Sequence, residues 1–289
     1  MASPDLLADL LVIGCGDLGG ACAQFFATQG WSVVGVRRQA AVFAGVDMIA
    51  ADVTLPESLT VLRTIAPKLV LIVLTPGAFN DERYRQVYVE GLRNTLAAFD
   101  SSRLQHIVWV SSTSVLTQNN NNQDDGALLD EHSPAIPSGF SGQRLLEAEH
   151  VLAESNLPHT IVRFGGIYGP GRERLLKQLR AGRRTPASPV RISNRIHRDD
   201  AVGILQFLLN RAFVQSPLDP LYLAVDAEPT PIADVERWFA HYLGLDYNKL
   251  REQESEMRGG NRLCSSAHLQ QLGYQFLYPS FREGLPTLL

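Results

Sequence analysis

Cysteine is scarce in this chain, three residues in 289, and Cys15, Cys22 and Cys264 fall at no metal-ligand spacing. An odd count so spaced argues against a disulfide framework and against zinc, so no metal is expected. Long apolar runs are missing too. The longest purely aliphatic stretch covers residues 69–74 and is far too short to cross a bilayer. The first ten residues, MASPDLLADL, have neither the basic start nor the apolar core of a secretory signal. Nor is one sign of charge in excess. Lys and Arg number 26 against 30 Asp and Glu, and the net charge of -4 gives no reason to expect nucleic acid or an acidic membrane as a partner. The expected setting is the cytoplasm. What is present is ordinary: 45% hydrophobic and 19% charged residues, in a length that suits one large domain or a domain with a lobe.

The informative stretch is residues 10–38, LLVIGCGDLGGACAQFFATQGWSVVGVRR. A short apolar run breaks at Gly14-Cys15-Gly16-Asp17-Leu18-Gly19, a helix-like segment follows to Thr28, Gly30 stops it, and a second apolar run begins at Trp31. Strand, glycine turn, helix and strand within about thirty residues is the context that gives GxGxxG its meaning. Gly14 allows the tight turn, Gly16 lets a pyrophosphate approach the backbone, and Gly19 lets helix and strand pack closely. The amides of Asp17, Leu18 and Gly19 open the helix, whose N-terminus attracts phosphate. A dinucleotide site is expected here. Cys15 inside the turn reads as a small filler, with a redox-sensitive thiol as the alternative.

An NAD site usually carries Asp or Glu about 20 residues past the glycines, to accept from the ribose 2′-OH. This chain has Arg37 and Arg38. A guanidinium cannot accept that bond, but it pairs well with a 2′-phosphate. NADP is therefore expected, with NAD left open; two solvated arginines at a strand end are the plain alternative.

Strand and helix patterns keep alternating. Residues 47–50, 69–74, 106–110, 160–164 and 221–225 read as strands, and residues 81–99 and 143–154 as helices. That order implies βαβ units, a mostly parallel sheet of about seven strands and right-handed crossovers, with ligands at the carboxyl ends of the strands. The tract NNNNQDDG at residues 119–126 reads as an exposed loop. The expected organisation is α/β: a doubly wound dinucleotide-binding core over residues 1–165, and a smaller substrate-side lobe over 166–289, packed on the core and partly continuous with it.

With those pieces placed, the chain resembles the extended short-chain dehydrogenases/reductases, the NAD-dependent epimerase/dehydratase family. The resemblance runs through VIGCGDLGG, Asp52-Val53, VSSTSV at 110–115, IVRFGGIYGPGR at 161–172, RIHRDDA at 195–201 and the tail LGYQFLYPSFREGL. It implies a Rossmann-type fold. The GxGxxG spacing, tighter than the GxxGxxG of many extended members, points to an atypical branch. The resemblance further implies that Asp52 and Val53 sit by the adenine, Thr75 along the cofactor and Ser111 near the nicotinamide ribose. Gly166 and Ile167 would line the nicotinamide pocket, with Tyr168 as a pocket wall. Ser112 matches the family's catalytic Ser/Thr, which hydrogen-bonds a substrate oxygen.

The family's acid/base pair, YxxxK, is what this chain lacks. Aligned on LLEAE, its tyrosine falls at Phe140 and its lysine at Arg144. Phenylalanine has no titratable proton, and arginine keeps its proton at neutral pH. Arg144 remains a candidate for anchoring a ribose or a substrate anion. Substitute proton donors are Ser112, Tyr168, His197 or water; a structural histidine before a helix capped by Asp199 or Asp200 is the plainer reading of His197. Tyr84 and Tyr88 read as core or surface residues that could instead face the cleft. The expected activity is an NAD(P)-dependent oxidoreductase or epimerase acting on a small polar, sugar- or nucleotide-linked molecule. The alternative is a non-catalytic NADP(H)-binding redox sensor. The basic stretch at 172–184, RERLLKQLRAGRR, would suit an anionic substrate or simply a solvated helix. A homodimer is a further possible association.

Overall fold

The computed structural model describes residues 6–39, 41–116, 128–253 and 262–289; the polar tract at 119–126 lies outside them. Strand β1 (Leu6–Ile13) ends in four fully buried residues, Leu10 to Ile13, the signature of a strand covered on both faces. The glycine turn leads into α1 (Asp17–Thr28), which ends before Gly30 at φ +84°, a backbone conformation that suits glycine. Then come β2 (Val33–Arg37) and β3 (Val46–Ala50).

β4 (Ile65–Ile72) starts four residues before the apolar run expected at 69–74, and it contains Pro67. The reason is register. Ala8 of β1 lies opposite Pro67, whereas β5 (His106–Ser112) first pairs at Leu69 with His106, so proline sits ahead of that ladder, where Asp100 and Gln105 bond to Ile65 and Lys68 on either side of it. The helix expected over 81–99 comes in three parts: α2 (Asp81–Tyr84), a π-helical turn Arg85–Glu90, and α3 (Gly91–Leu96). One widened turn scarcely alters the apolar periodicity, so the sequence does not announce it. Such turns gather at functional sites.

The rest of the chain runs through β6 (Leu128–Leu129), α4 (Phe140–Glu154), β7 (His159–Phe164), β8 (Gly166–Tyr168) and α5 (Arg174–Arg180). It continues with β9 (Arg183–Arg184), β10 (Ile192–Ser193), β11 (Arg195–His197), α6 (Arg198–Phe213) and β12 (Leu221–Ala224). Helices α7 (Ile232–Tyr242), α8 (Ala267–Gln271) and α9 (Phe281–Gly284) complete it.

Seven strands form the main sheet in the order β12-β7-β5-β4-β1-β2-β3. The pairs β1–β2, β2–β3, β1–β4 and β4–β5 are parallel. The chain winds outward from β1 through β2 to β3, then returns to β4 and winds the other way. Strand order therefore reverses between β1 and β4, the crevice where doubly wound sheets take their ligands.

The fold divides into two units interleaved in sequence. The first holds Met1–Val115, Gly139–Arg163 and Val202–Tyr222, with β1, β4 and the buried Trp109 at its core. The second holds Leu116–Ser138, Phe164–Ala201 and Leu223–Leu289. Its core brings Leu176 and Leu179 of α5 together with Val235 and Phe239 of α7, Phe281 and Leu285. Among the described residues no helix is long and apolar enough to cross a membrane.

Candidate functional site

The three glycines of the first turn have different reasons to be glycine. Gly14 has φ +87°, and a Cβ there would stand 1.9 Å from the Val73 carbonyl oxygen. A Cβ on Gly19 would lie 2.5 Å from the Gly14 oxygen and 3.0 Å from Val12 Cγ1. Those two are demanded by strand, turn and helix packing. Gly16 is not: a Cβ there meets only the Gly14 oxygen, at 4.0 Å. Its bare backbone serves no packing need inside the protein and leaves room for something outside it. The first bond of α1 runs from the Gly20 N–H to the Gly16 oxygen (2.8 Å), so the preceding amides open at the N-terminal end of a 12-residue helix. Leu18 is buried and contributes backbone to this mouth, while Asp17 is exposed. Cys15 is fully buried, its Sγ only 2.8 Å from where Gly35 would carry a Cβ, and burial pushes its thiol up to about 11. That is a filler, not a reactive thiol.

Beyond the turn, Arg37 closes β2 half-buried, and its carbonyl accepts from the Ala51 N–H (3.0 Å). Arg38 is exposed; one of its terminal nitrogens lies 3.7 Å from the Cβ position of Gly77. Arg83, which the sequence did not single out, donates from Nε to the Pro76 oxygen (3.0 Å). Burial would raise the Asp52 carboxyl, but bonds from the Thr54 N–H and hydroxyl (2.9 and 2.8 Å), with the charges of Arg38 and Arg83, hold it below the usual range. Three arginines and one carboxylate therefore gather at the ends of β2, β3 and β4. Val53 packs under Gly91, and its carbonyl accepts from Asn94 Nδ2 (2.8 Å); Thr75 is exposed in the loop after β4.

At the end of β5 the two serines turn opposite ways, as neighbours on a strand must. The Ser111 hydroxyl points inward and donates to Glu149 Oε1 (2.7 Å), which also accepts from Arg163 Nε (3.0 Å). All three side chains are buried. Ser111 thus offers a ligand its main chain, and its hydroxyl belongs to this internal network. Ser112 is half-buried on the other side, and its Oγ accepts the Ser114 N–H (3.1 Å). That bond orients the oxygen and leaves the hydroxyl proton to be donated elsewhere.

The head of α4 packs against the α2 segment and against the turn Thr113–Val115 that follows Ser112. Phe140 lies against the rings of Phe79 (centroids 4.8 Å) and Tyr84 (5.4 Å), and Tyr84 meets Tyr88 edge-on (5.3 Å). One turn on, Arg144 grips Asp81 with two bonds (Nε 2.7 Å, Nη2 2.9 Å) and Glu147 with a third (2.8 Å). A second carboxylate and a bidentate fork commit the guanidinium to the protein.

In the second unit, Gly166 and Ile167 lie on β8, paired with Arg195 and Ile196 of β11. Gly165 is pressed by the Asn194 oxygen, 2.9 Å from its Cβ position. Tyr168 sends its hydroxyl into the unit, 2.0 Å from where Gly284 would carry a Cβ; burial and the nearby Asp226 carboxylate push its phenol up. His197 is fully buried under Tyr278 (ring centroids 3.9 Å). Its Nδ1 accepts the Asp199 N–H (3.2 Å), so Nε2 donates to Thr287 Oγ1 (3.0 Å), and burial lowers its tendency to protonate. The expected carboxylate cap is thus replaced by an imidazole. Asp200 turns to the tail, accepting from the Tyr274 hydroxyl (2.9 Å) and the Leu277 and Tyr278 amides (2.7 and 2.8 Å). The RIHRDD motif fastens the C-terminal segment.

A family model for NAD(P)H-binding proteins matches residues 14–200. Among solved structures, a protein from Methylobacillus flagellatus described as an NAD-dependent epimerase/dehydratase is 36% identical over 97% of each chain, with a TM-score of 0.79. A functionally unknown conserved protein from Silicibacter pomeroyi DSS is 25% identical over 97% of this chain and 98% of its own, at 0.74. MoeE5, solved with UDP-glucuronic acid and NAD, shares 20% identity over 97% of each chain, at 0.76, which speaks for the fold alone. No curated protein matches the chain.

Proposed function

Because the chain belongs to the NAD-dependent epimerase/dehydratase family of extended short-chain dehydrogenases/reductases, with its NAD(P)H-binding region at residues 14–200, we propose that it binds NADP(H) and exchanges hydride with a small polar substrate in the cytoplasm. One observation carries the cofactor reading. Gly16 lacks a side chain that the fold leaves space for, at the mouth of a helix whose amides face outward. A helix N-terminus with open amides suits the charge of a diphosphate. Gly14, Gly19 and the amides of Asp17 and Leu18 would hold it, Asp52 and Val53 would flank the adenine, and Thr75 and the Ser111 main chain would line its course. When bound, the nicotinamide supplies or accepts the hydride.

The preference for the 2′-phosphate rests on Arg37 and Arg38, joined by Arg83, where an NAD site would place an acceptor. NADPH and NADH titrations of wild type and Arg37→Asp test it. The substitution is expected to weaken NADPH about tenfold or more, near 1.4 kcal/mol, while leaving NADH within about twofold. Equal losses for both coenzymes would remove the 2′-phosphate reading.

In the chemical step, the Ser112 hydroxyl hydrogen-bonds a substrate oxygen, keeping its own proton, and fixes the reacting carbon. Phe140 supplies no proton, and Tyr168 and His197 are turned into the second unit, so the one proton that accompanies the hydride is exchanged with water. The substrate class we favour is sugar- or nucleotide-linked. MoeE5 is solved with UDP-glucuronic acid and with UDP-glucose, and TunA is an NDP-hexosamine 5,6-dehydratase. The cations at Arg172, Arg174, Lys177, Arg180, Arg183 and Arg184, with Glu173 as the one acid among them, suit such an anion.

A second reading has its own support: Phe140 and Arg144 are both consumed by contacts inside the protein. A cofactor-binding protein that reports the NADP(H)/NADP+ balance to a partner needs no acid/base pair. A substrate screen with Ser112→Ala as control separates the two. Turnover abolished by Ser112→Ala supports the enzyme; no turnover, with a change of oligomeric state on NADPH addition, supports the sensor.

A further inference from the structure

The second unit contains polar groups that the proposed function does not use. Asp226, one residue beyond the end of the Leu221–Val225 apolar run, is 1% exposed. Neither of its carboxylate oxygens has a hydrogen-bond partner among the described residues, and neither does Arg195 Nη1, which stands 3.9 Å from Asp226 Oδ2. The buried Tyr168 hydroxyl likewise finds no partner there. The remaining guanidinium nitrogens of Arg195 are occupied: Nε donates to Ser193 Oγ (2.9 Å) and Nη2 to the Ser193 oxygen (3.0 Å). Arg195 is thus held from behind, with Nη1 left toward the carboxylate.

The C-terminal segment closes over this cluster. The Ala227 N–H donates to the Pro279 oxygen (2.9 Å), the Phe281 ring lies 4.9 Å from the Arg195 guanidinium carbon, and Gly284 abuts the Tyr168 hydroxyl. Left dry, each orphaned group forfeits its hydration with nothing in return. The donor and acceptor inventory matches water. Arg195 and Tyr168 offer N–H and O–H, Asp226 offers acceptors, and a water accepts two bonds and donates two.

We propose that Tyr168, Arg195 and Asp226 enclose an internal water site, and that proton uptake by Asp226 there fastens α9 and residues 279–288 over it. The groups facing Asp226 are Arg195 from β11, Tyr168 from β8, Glu228 just beyond it in the chain, and Glu283 from α9; Asp200 of α6 and Arg282 of α9 bear on Tyr168 and Arg195 in turn. Burial raises the Asp226 carboxyl to about 7, with the Arg195 charge and the Glu228 amide offsetting it and the Glu228 and Glu283 carboxylates adding to it. The closed state therefore favours the protonated acid. Its stability is greatest below the ordinary carboxylate value of 3.8 and falls as pH rises through about 7.

Hydrogen exchange of residues 279–288 in the full chain, at pH about 5.5 and 8.5 and corrected for intrinsic rates, tests the proton link. Wild type is expected to lose protection about tenfold or more at the higher pH, and Asp226→Asn to lose none. An unchanged pH dependence in Asp226→Asn, or none in wild type, overturns it. A high-resolution crystal structure of the wild type decides the water site without any variant. Ordered density bridging Arg195 Nη1, Tyr168 Oη and Asp226 supports it, and direct bidentate closure of Arg195 on Asp226 overturns it.

Discussion

At the glycine turn, the side chain missing at residue 16 answers no need of the protein's own packing. At the head of α4, by contrast, the side chains at residues 140 and 144 are taken up by the protein itself. Both places lie in the first unit, and the family resemblance assigns both to the site. The first keeps a space the fold does not require. The second packs the ring of Phe140 among Phe79 and Tyr84, and ties Arg144 to Asp81 and Glu147. The head of α4 is a joint to α2, made by the Arg144–Asp81 pair and the Phe140–Tyr84 contact.

The comparison can be broken at either end. The largest effect is expected from Gly14→Ala. A Cβ 1.9 Å from the Val73 oxygen, on a backbone at φ +87°, should destabilise the fold by about 3 kcal/mol or more, read as a fall in thermal midpoint. A midpoint equal to wild type would mean that the turn is loose and that its glycines say nothing about packing. The smallest effect is expected from Arg144→Ala. Because the guanidinium serves Asp81 and Glu147 in half-exposed pairs, its loss should leave NADPH affinity within about twofold. A tenfold loss by fluorescence titration would show that Arg144 leaves those carboxylates to hold the cofactor, and would move it back into the site.

Much of the fold was legible because its signals are local. The turn at 14–19, the apolar strands and the alternation with helices are each contained in short windows; they imply a mostly parallel sheet of about seven strands, while its order comes from the structure. The early start of β4 was not, because only the register against β1 and β5 explains how Pro67 is tolerated. Long-range pairs hid the rest. Ser111 finds Glu149 38 positions later and Glu149 finds Arg163 14 further on, so no motif links the three. Arg83 carries no signal in the sequence for a similar reason: it is an ordinary helix residue until the fold brings it beside Asp52. The role of RIHRDD was half-visible. A structural histidine was foreseen, but the tail that His197 and Asp200 fasten lies about eighty residues downstream.

The central claim, that the space at Gly16 is kept for a dinucleotide diphosphate, is tested most directly by calorimetric titration of NADPH into Gly16→Val beside wild type, with thermal unfolding of both. The expected result is a modest drop in melting from the changed N-cap residue, with the variant still folded at the titration temperature, heat of binding from wild type, and affinity lowered at least about tenfold in the variant. A folded variant that binds NADPH as tightly as wild type would contradict it.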